Sequence, residues 1–301
     1  MNLDIVSEKL TVPHGTSRRQ VLKTLGAGAV GLAGLGMFTG SARAASSSVS
    51  DADVLQFALN LEYLEAEYYL YATTGQGLPP EDITGTGTLG MTVVKPNPIV
   101  PFTTQLFADF ANELADDEQN HVEFLRKTLN SLGVTPVARP PLDLLNSFNT
   151  LAQVAGIGDS FDPFESEVNF LIGAFIFEDV GVTAYRGGAK VIRSNPLLFA
   201  AAGILGTEAY HAAGDRAYLL GLDDQAVVDI VQRISNVRDS LDGAKDNDQG
   251  LMKNDMGNIA PTDENSLVFA RNTRQVLNIL YGAVGASSGL FFPEGLNGAI
   301  S

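Results

Sequence analysis

Apolar and polar positions along this chain recur with a helical period, and no segment shows sustained two-residue alternation rich in β-branched residues. A first helical segment spans 51–72, with Ser50 or Asp51 placed to cap it and no Gly or Pro until Gly75. The Gly/Pro-rich stretch 75–101 breaks the pattern, and its length inside a domain points to an ordered excursion. A second helix covers 102–132 and ends at Gly133. Residues 134–163 carry Pro136, Pro140, Pro141 and Pro163 around a short amphipathic piece at 142–154, enough chain for a crossover along a bundle. A third helix, 164–194, is very apolar around 169–182. Asn195-Pro196 interrupts it, and a fourth, 196–220, starts at once with Pro in its first turn. Two further helical patterns follow, 223–241 and 264–281, joined by a polar loop. The chain is predicted all-α: a four-helix bundle over 45–222, with a long crossover between helices two and three and a tight hairpin between three and four. Residues 223–301 form a helical C-terminal extension packed on it.

The N-terminus reads as a targeting segment, to be set aside before fold reasoning. Ser17-Arg18-Arg19-Gln20-Val21-Leu22-Lys23 looks like a twin-arginine motif, followed by a glycine-rich, weakly apolar run. Ser41-Ala42-Arg43-Ala44 supplies the small residues expected before a cleavage point after Ala44. The run is too short and glycine-rich for a retained membrane helix, which needs about 20 strongly apolar residues. Residues 1–44 thus form a signal for the twin-arginine export machinery, which moves folded proteins. The destination is periplasmic or extracellular, with no membrane attachment after cleavage.

Charge narrows the partners. The full chain has 19 basic and 35 acidic residues, net −16, and the leader holds five of the basic residues and two of the acidic. The remainder carries −19, which argues against nucleic acid or an anionic membrane surface. Absence of cysteine excludes zinc–thiolate and iron–sulfur sites and leaves stability to packing and metal.

The chain has three histidines, and His14 lies in the leader. The other two occupy the same frame, Glu118-Gln119-Asn120-His121 and Glu208-Ala209-Tyr210-His211. Positions i and i+3 share a helix face, so each pair offers one oxygen and one nitrogen to a single point. Two such pairs, with a lone glutamate from each of two other helices, make the ligand set of di-iron and di-manganese carboxylate bundles. Glu62 and Glu178 supply the lone glutamates, each followed seven residues later by a tyrosine, Tyr69 and Tyr185. Glu118 and Glu208 are expected to bridge two ions, with Glu62 and His121 completing one, Glu178 and His211 the other. Glu178 sits in Phe-Leu-Ile-Gly-Ala-Phe-Ile-Phe-Glu-Asp-Val-Gly-Val, where an unpaired carboxylate is costly without a cation or proton. Glu65, one turn from Glu62, is a further ligand or an outer partner. Tyr69 and Tyr185 read equally as groups beside the metals and as core aromatics. Asp117 and Asp215, one turn from His121 and His211, read as partners orienting the imidazoles or as solvated surface. The acidic loop 242–250 lacks the glutamate of a calcium loop and reads as a solvent loop.

These motifs resemble the ferritin-like superfamily, which includes ferritins, bacterioferritins, rubrerythrins and manganese catalases. With Leu59-Asn60-Leu61-Glu62-Tyr63-Leu64-Glu65-Ala66-Glu67-Tyr68-Tyr69-Leu70 and the twin-arginine leader, the chain looks closest to the desiccation-related ferritin-like proteins. The resemblance covers about 51–220 and only weakly supports the tail. It implies a ferritin-like bundle holding two Fe ions, or alternatively two Mn ions, that meet oxygen or peroxide in stress protection or iron handling. A manganese-catalase-like peroxide dismutase, and a non-catalytic protective bundle without metal, are the alternatives; a homo-oligomer is compatible with each.

Overall fold

Helix α1 (Asp51–Thr74) is buried on every face from residue 54 to residue 70, as a helix at the centre of a bundle must be. Ser50 and Asp53 close a reciprocal capping box at its start, and Gly75 ends it with φ 77°. The structure, a computed structural model, describes residues 49–301. The sequence-predicted leader, with Arg18, Arg19 and Ala44, lies outside the described residues. After α1 come α2 (Pro80–Ile83), β1 (Thr92–Val93), α3 (Gln105–Ser131), β2 (Leu142–Asp143), α4 (Asn146–Val154), α5 (Glu167–Gly188) and α6 (Asn195–Gly221). The extension supplies α7 (Gln225–Asp242), β3 (Met252–Lys253), β4 (Met256–Gly257) and α8 (Thr273–Tyr281). The protein is an all-α bundle in which α1 pairs with α3 and α5 with α6.

The two halves obey a pseudo-twofold relation that residue register makes explicit. Asp51, eleven residues before Glu62 on α1, accepts the N–H groups of Arg193 and Ser194 at the start of α6, both at 2.8 Å. Glu167, eleven residues before Glu178 on α5, accepts those of Thr103 and Thr104 at the start of α3, at 2.8 and 2.9 Å. Each central helix thus places an acidic side chain on the unpaired N–H groups of the helix diagonal to it. That fixes axial register, and register sets which side chains meet at mid-bundle.

Helix α5 is the one helix among the described residues long and apolar enough to cross a membrane, and here it is a core helix buried in protein. It ends at Gly188, six residues before the position the sequence pattern predicts, because 189–192 turn back onto the carbonyls of Tyr185, Gly187 and Gly188. The last predicted helix, 264–281, is helical only from Thr273. Asn272 caps it there, and Ser266 upstream adopts φ 59°. The 75–101 excursion is tied down by Glu67, which accepts from Arg139 at 2.5 Å, Thr92 at 2.9 Å and the Leu78 N–H at 3.2 Å. There β1 pairs in parallel with β2 of the crossover; β3 and β4 form a second short ladder in the extension. Neither ladder has the length for an alternating sequence signal.

A buried chain of charges joins the extension to the bundle. Asp179 on α5 receives Arg216 of α6 at 2.6 Å and Arg238 of α7 at 2.9 Å. Arg238 continues to Asp248 at 2.8 Å, Asp248 to Arg271 at 2.7 Å, and Arg271 to Asp242 at 2.6 Å. Three arginines and three aspartates alternate, so the chain is neutral, and Arg216 and Arg238 both lie over the Phe175 ring. The expected solvent loop 242–250 is therefore corrected: Asp242 and Asp248 are buried partners of arginines and Gly250 is buried too, while 243–246 are exposed. Gly187 allows this docking, because a Cβ there would overlap the Arg271 carbonyl oxygen.

Candidate metal centre

Each of the four bundle helices brings a glutamate to the interior. Glu62, Glu118, Glu178 and Glu208 have no exposed surface, His211 is buried, and His121 keeps 12% of its side chain exposed. Both histidines turn Nδ1 inward. His121 Nδ1 lies 3.0 Å from Glu118 Oε2 and 3.2 Å from Glu62 Oε2. His211 Nδ1 lies 3.2 Å from Glu118 Oε1 and 3.4 Å from Glu178 Oε2. Glu118 thus presents one oxygen to each histidine. Two sets of potential ligand atoms result, each within 4.8 Å: Glu62, Glu118, His121 and Glu208 in one, Glu118, Glu178 and His211 in the other.

The six residues singled out by spacing therefore converge, with Glu118 common to both sets. Glu208 joins the first set, that of the opposite helix's histidine, and falls outside the second. Glu65 is also buried in the cluster, beside Glu208. Glu67, on another face of α1, belongs to the Arg139 contact instead.

The two tyrosines hold the outer oxygens of the lone glutamates, each across the bundle. Tyr69 on α1 donates to Glu178 Oε1 on α5 at 2.5 Å, and Tyr185 on α5 donates to Glu62 Oε1 on α1. They are hydrogen-bond partners of the cluster, under the same pseudo-twofold as the helix-end contacts. The aspartates divide. Asp117 reaches not His121 on its own helix but His211 on α6, with Oδ2 3.1 Å from Nε2. Its counterpart on α6 is Thr207, whose hydroxyl turns back toward Gly203 O. Asp215 is buried, contacts no histidine through a hydrogen bond, and leaves both oxygens without a donor.

The electrostatics identify what the cluster lacks. Glu62 Oε2, Glu118 Oε1, Glu178 Oε2 and both oxygens of Glu208 are buried without a hydrogen-bond partner. Burial, then the charge of Glu118, raises Glu62 to about 8. Burial and the surrounding carboxylates, Glu65 foremost, push Glu208 well above the usual carboxylate range. For Glu118 burial acts upward, but the charge and hydrogen bond of His121 and the close approach of His211 outweigh it and hold the carboxyl low. Burial opposes protonation of the histidines, yet Glu62 and Glu118 raise His121 to about 11, and Glu178 and Glu118 raise His211 to about 12. Five buried carboxylates facing two imidazoles are tolerable only with bound protons or cations. An oxygen-rich donor set completed by one nitrogen per ion fits two first-row divalent metals.

The ferritin-like domain family matches residues 50–220, a span that includes Glu62, Glu118, His121, Glu178, Glu208 and His211. The chain is 30% identical over 275 residues to "Desiccation-related protein PCC13-62" of Craterostigma plantagineum, covering 83% of each chain. It is 26% identical over 276 residues to "Ferritin-like catalase Nec2" of Nesocodon mauritianus, covering 84% of this chain and 85% of that one. Residues 1–220 make up less than three quarters of the chain, so both alignments run past them into the extension.

Proposed function

The chain belongs to the ferritin-like family, and from that premise we propose that it is an exported protein with a carboxylate-bridged dinuclear centre, of iron or manganese, acting on oxygen or peroxide in oxidative or desiccation stress. The observation that carries this reading is the set of buried, donorless oxygens of Glu62, Glu118, Glu178 and Glu208 beside the inward Nδ1 atoms of His121 and His211. Glu118 would be shared by both ions, since its two oxygens address different histidines. Glu62 and His121 would complete one ion, with Glu208 as a further ligand to it, and Glu178 and His211 would complete the other.

When bound, such a pair of ions supplies one- and two-electron exchange with oxygen or peroxide at open coordination positions. The protein's own part is positional. Tyr69 and Tyr185 engage the outer oxygen of Glu178 and Glu62, which leaves the inner oxygen of each free to ligate. Asp117 accepts the outer N–H of His211 and thereby fixes Nδ1 as the ligating nitrogen. The apolar walls of α1 and α5 keep bulk water away from the carboxylates.

Peroxide dismutation is the second reading, favoured by the similarity to a protein named a ferritin-like catalase. Metal-free protein reconstituted separately with Mn(II) and Fe(II), then given hydrogen peroxide, tests both. Oxygen release in a ratio of one O2 per two peroxides by the Mn form supports dismutation; peroxide loss without oxygen release, by the Fe form, supports oxidative iron or oxygen chemistry. Peroxide consumption by neither form contradicts an enzymatic role and favours a non-catalytic protective bundle. Twin-arginine export to a periplasmic or extracellular destination rests on Arg18, Arg19 and Ala44. Retention of the precursor in the cytoplasm after replacing both arginines by lysine tests it.

A further inference from the structure

The pseudo-twofold that relates Glu62 to Glu178 and Tyr69 to Tyr185 relates Glu65 to Gly181, each three residues after the lone glutamate. One half therefore adds a carboxylate where the other has no side chain. The vacancy is used: a Cβ on Gly181 would overlap Glu208 Oε2 and would lie 3.3 Å from Glu65 Oε1. Glu65 and Glu208, from α1 and α6, thus converge on the bare backbone of α5. Both are more than nine-tenths buried, and neither oxygen of Glu208 has a hydrogen-bond donor. Two carboxylates brought together out of water, one of them with no donor at either oxygen, need a proton or a cation between or beside them, and a metal ion at the adjoining ligand set supplies the cation.

We infer that Glu65 is a fifth carboxylate ligand of the metal centre, acting with Glu208 on the face opened by Gly181 and making the two ion positions chemically unequal. This rests on the dinuclear reading above. Glu65 lies outside the two compact ligand sets, so it supplements the ion that Glu208 serves and leaves the set of Glu118, Glu178 and His211 untouched. The asymmetry also has a charge consequence. Two divalent ions balance four carboxylates, and the fifth leaves one negative charge that favours a higher oxidation state or a third positive partner at this face.

The test is equilibrium titration of metal-free protein with Mn(II), following free Mn(II) by its electron paramagnetic resonance signal, for wild type, Glu65→Gln and Gly181→Ala. Wild type is expected to take two equivalents. In Glu65→Gln one of the two binding constants should weaken by about tenfold or more while the other is unchanged. Its metal-free melting temperature should stay equal or rise, because a repulsive carboxylate is removed. In Gly181→Ala, which displaces Glu208, the same binding constant should weaken. Two unchanged constants in Glu65→Gln overturn the proposal and leave the dinuclear reading standing. A lowered metal-free melting temperature with unchanged binding assigns Glu65 a structural role and likewise overturns it. Wild type that binds less than half an equivalent overturns both.

Discussion

Asp117 Oδ2 lies 3.1 Å from Nε2 of His211, a contact between the two helices that carry the Glu-x-x-His motifs. Helical spacing pointed Asp117 at His121, four residues along the same helix; the fold gives it to the other histidine. His121 has no such partner, since Thr207 stands where a second aspartate would be. As ligands the two histidines would therefore differ in basicity. Asp117→Asn keeps the shape and removes the charge that orients the imidazole. Its expected effect is about 10- to 100-fold weaker binding of one ion, with the other unaffected, read by competition with a chelator.

Metal uptake should release protons. In the metal-free protein burial raises Glu62 to about 8, and the facing carboxylates raise His121 to about 11 and His211 to about 12, so at pH 7 the cluster holds protons that a metal ion displaces. Affinity must then rise with pH and fall on acidification. Calorimetric titration at pH 7 in buffers of different ionisation enthalpy is expected to show at least two protons released for two ions bound; release of none contradicts the protonated cluster.

The alternating chain Arg216, Asp179, Arg238, Asp248, Arg271, Asp242 makes the extension inseparable from the bundle. Asp248→Ala leaves Arg238 and Arg271 each short of a buried partner, a loss of about 3–5 kcal/mol. Urea denaturation of the metal-free protein should show that loss in one transition shared by near- and far-ultraviolet circular dichroism. A separate early transition would mean that the extension unfolds on its own.

The helix-end contacts of Asp51 and Glu167 are predicted to be equivalent. Asp51→Ala and Glu167→Ala should each cost about 1 kcal/mol, the usual worth of a side-chain cap on helix N–H groups. Because the sites are far apart, the double variant should lose close to the sum. Thermal melts of the four proteins measure this.

How much of this was legible in the sequence depends on how local the signal is. Glu118 with His121, and Glu208 with His211, are pairs within one helical turn, so spacing alone brings each pair to one face. Glu62 and Glu178 could be matched by the recurrence of a tyrosine seven residues on, and the structure shows both tyrosines at the cluster, each bound to the other's glutamate. Contacts between helices were not legible. Asp117 is an ordinary acidic residue until the bundle sets it against His211, and Gly181 means nothing until Glu65 and Glu208 meet over it. Asp242 and Asp248 read as solvated because their arginines lie up to 29 residues away in sequence. The short ladders of the excursion depend on pairing across the crossover, which no local pattern announces.

The central claim is a two-metal site around Glu118, and anomalous diffraction from crystals of natively exported protein tests it most directly. Data collected at the iron and manganese absorption edges should give two peaks flanking the Glu118 carboxylate, one beside His121 Nδ1 and one beside His211 Nδ1. The edge at which they appear names the metal. Crystals that show those side chains in the positions described, with no anomalous peak at either edge after supplying both metals, would contradict the account.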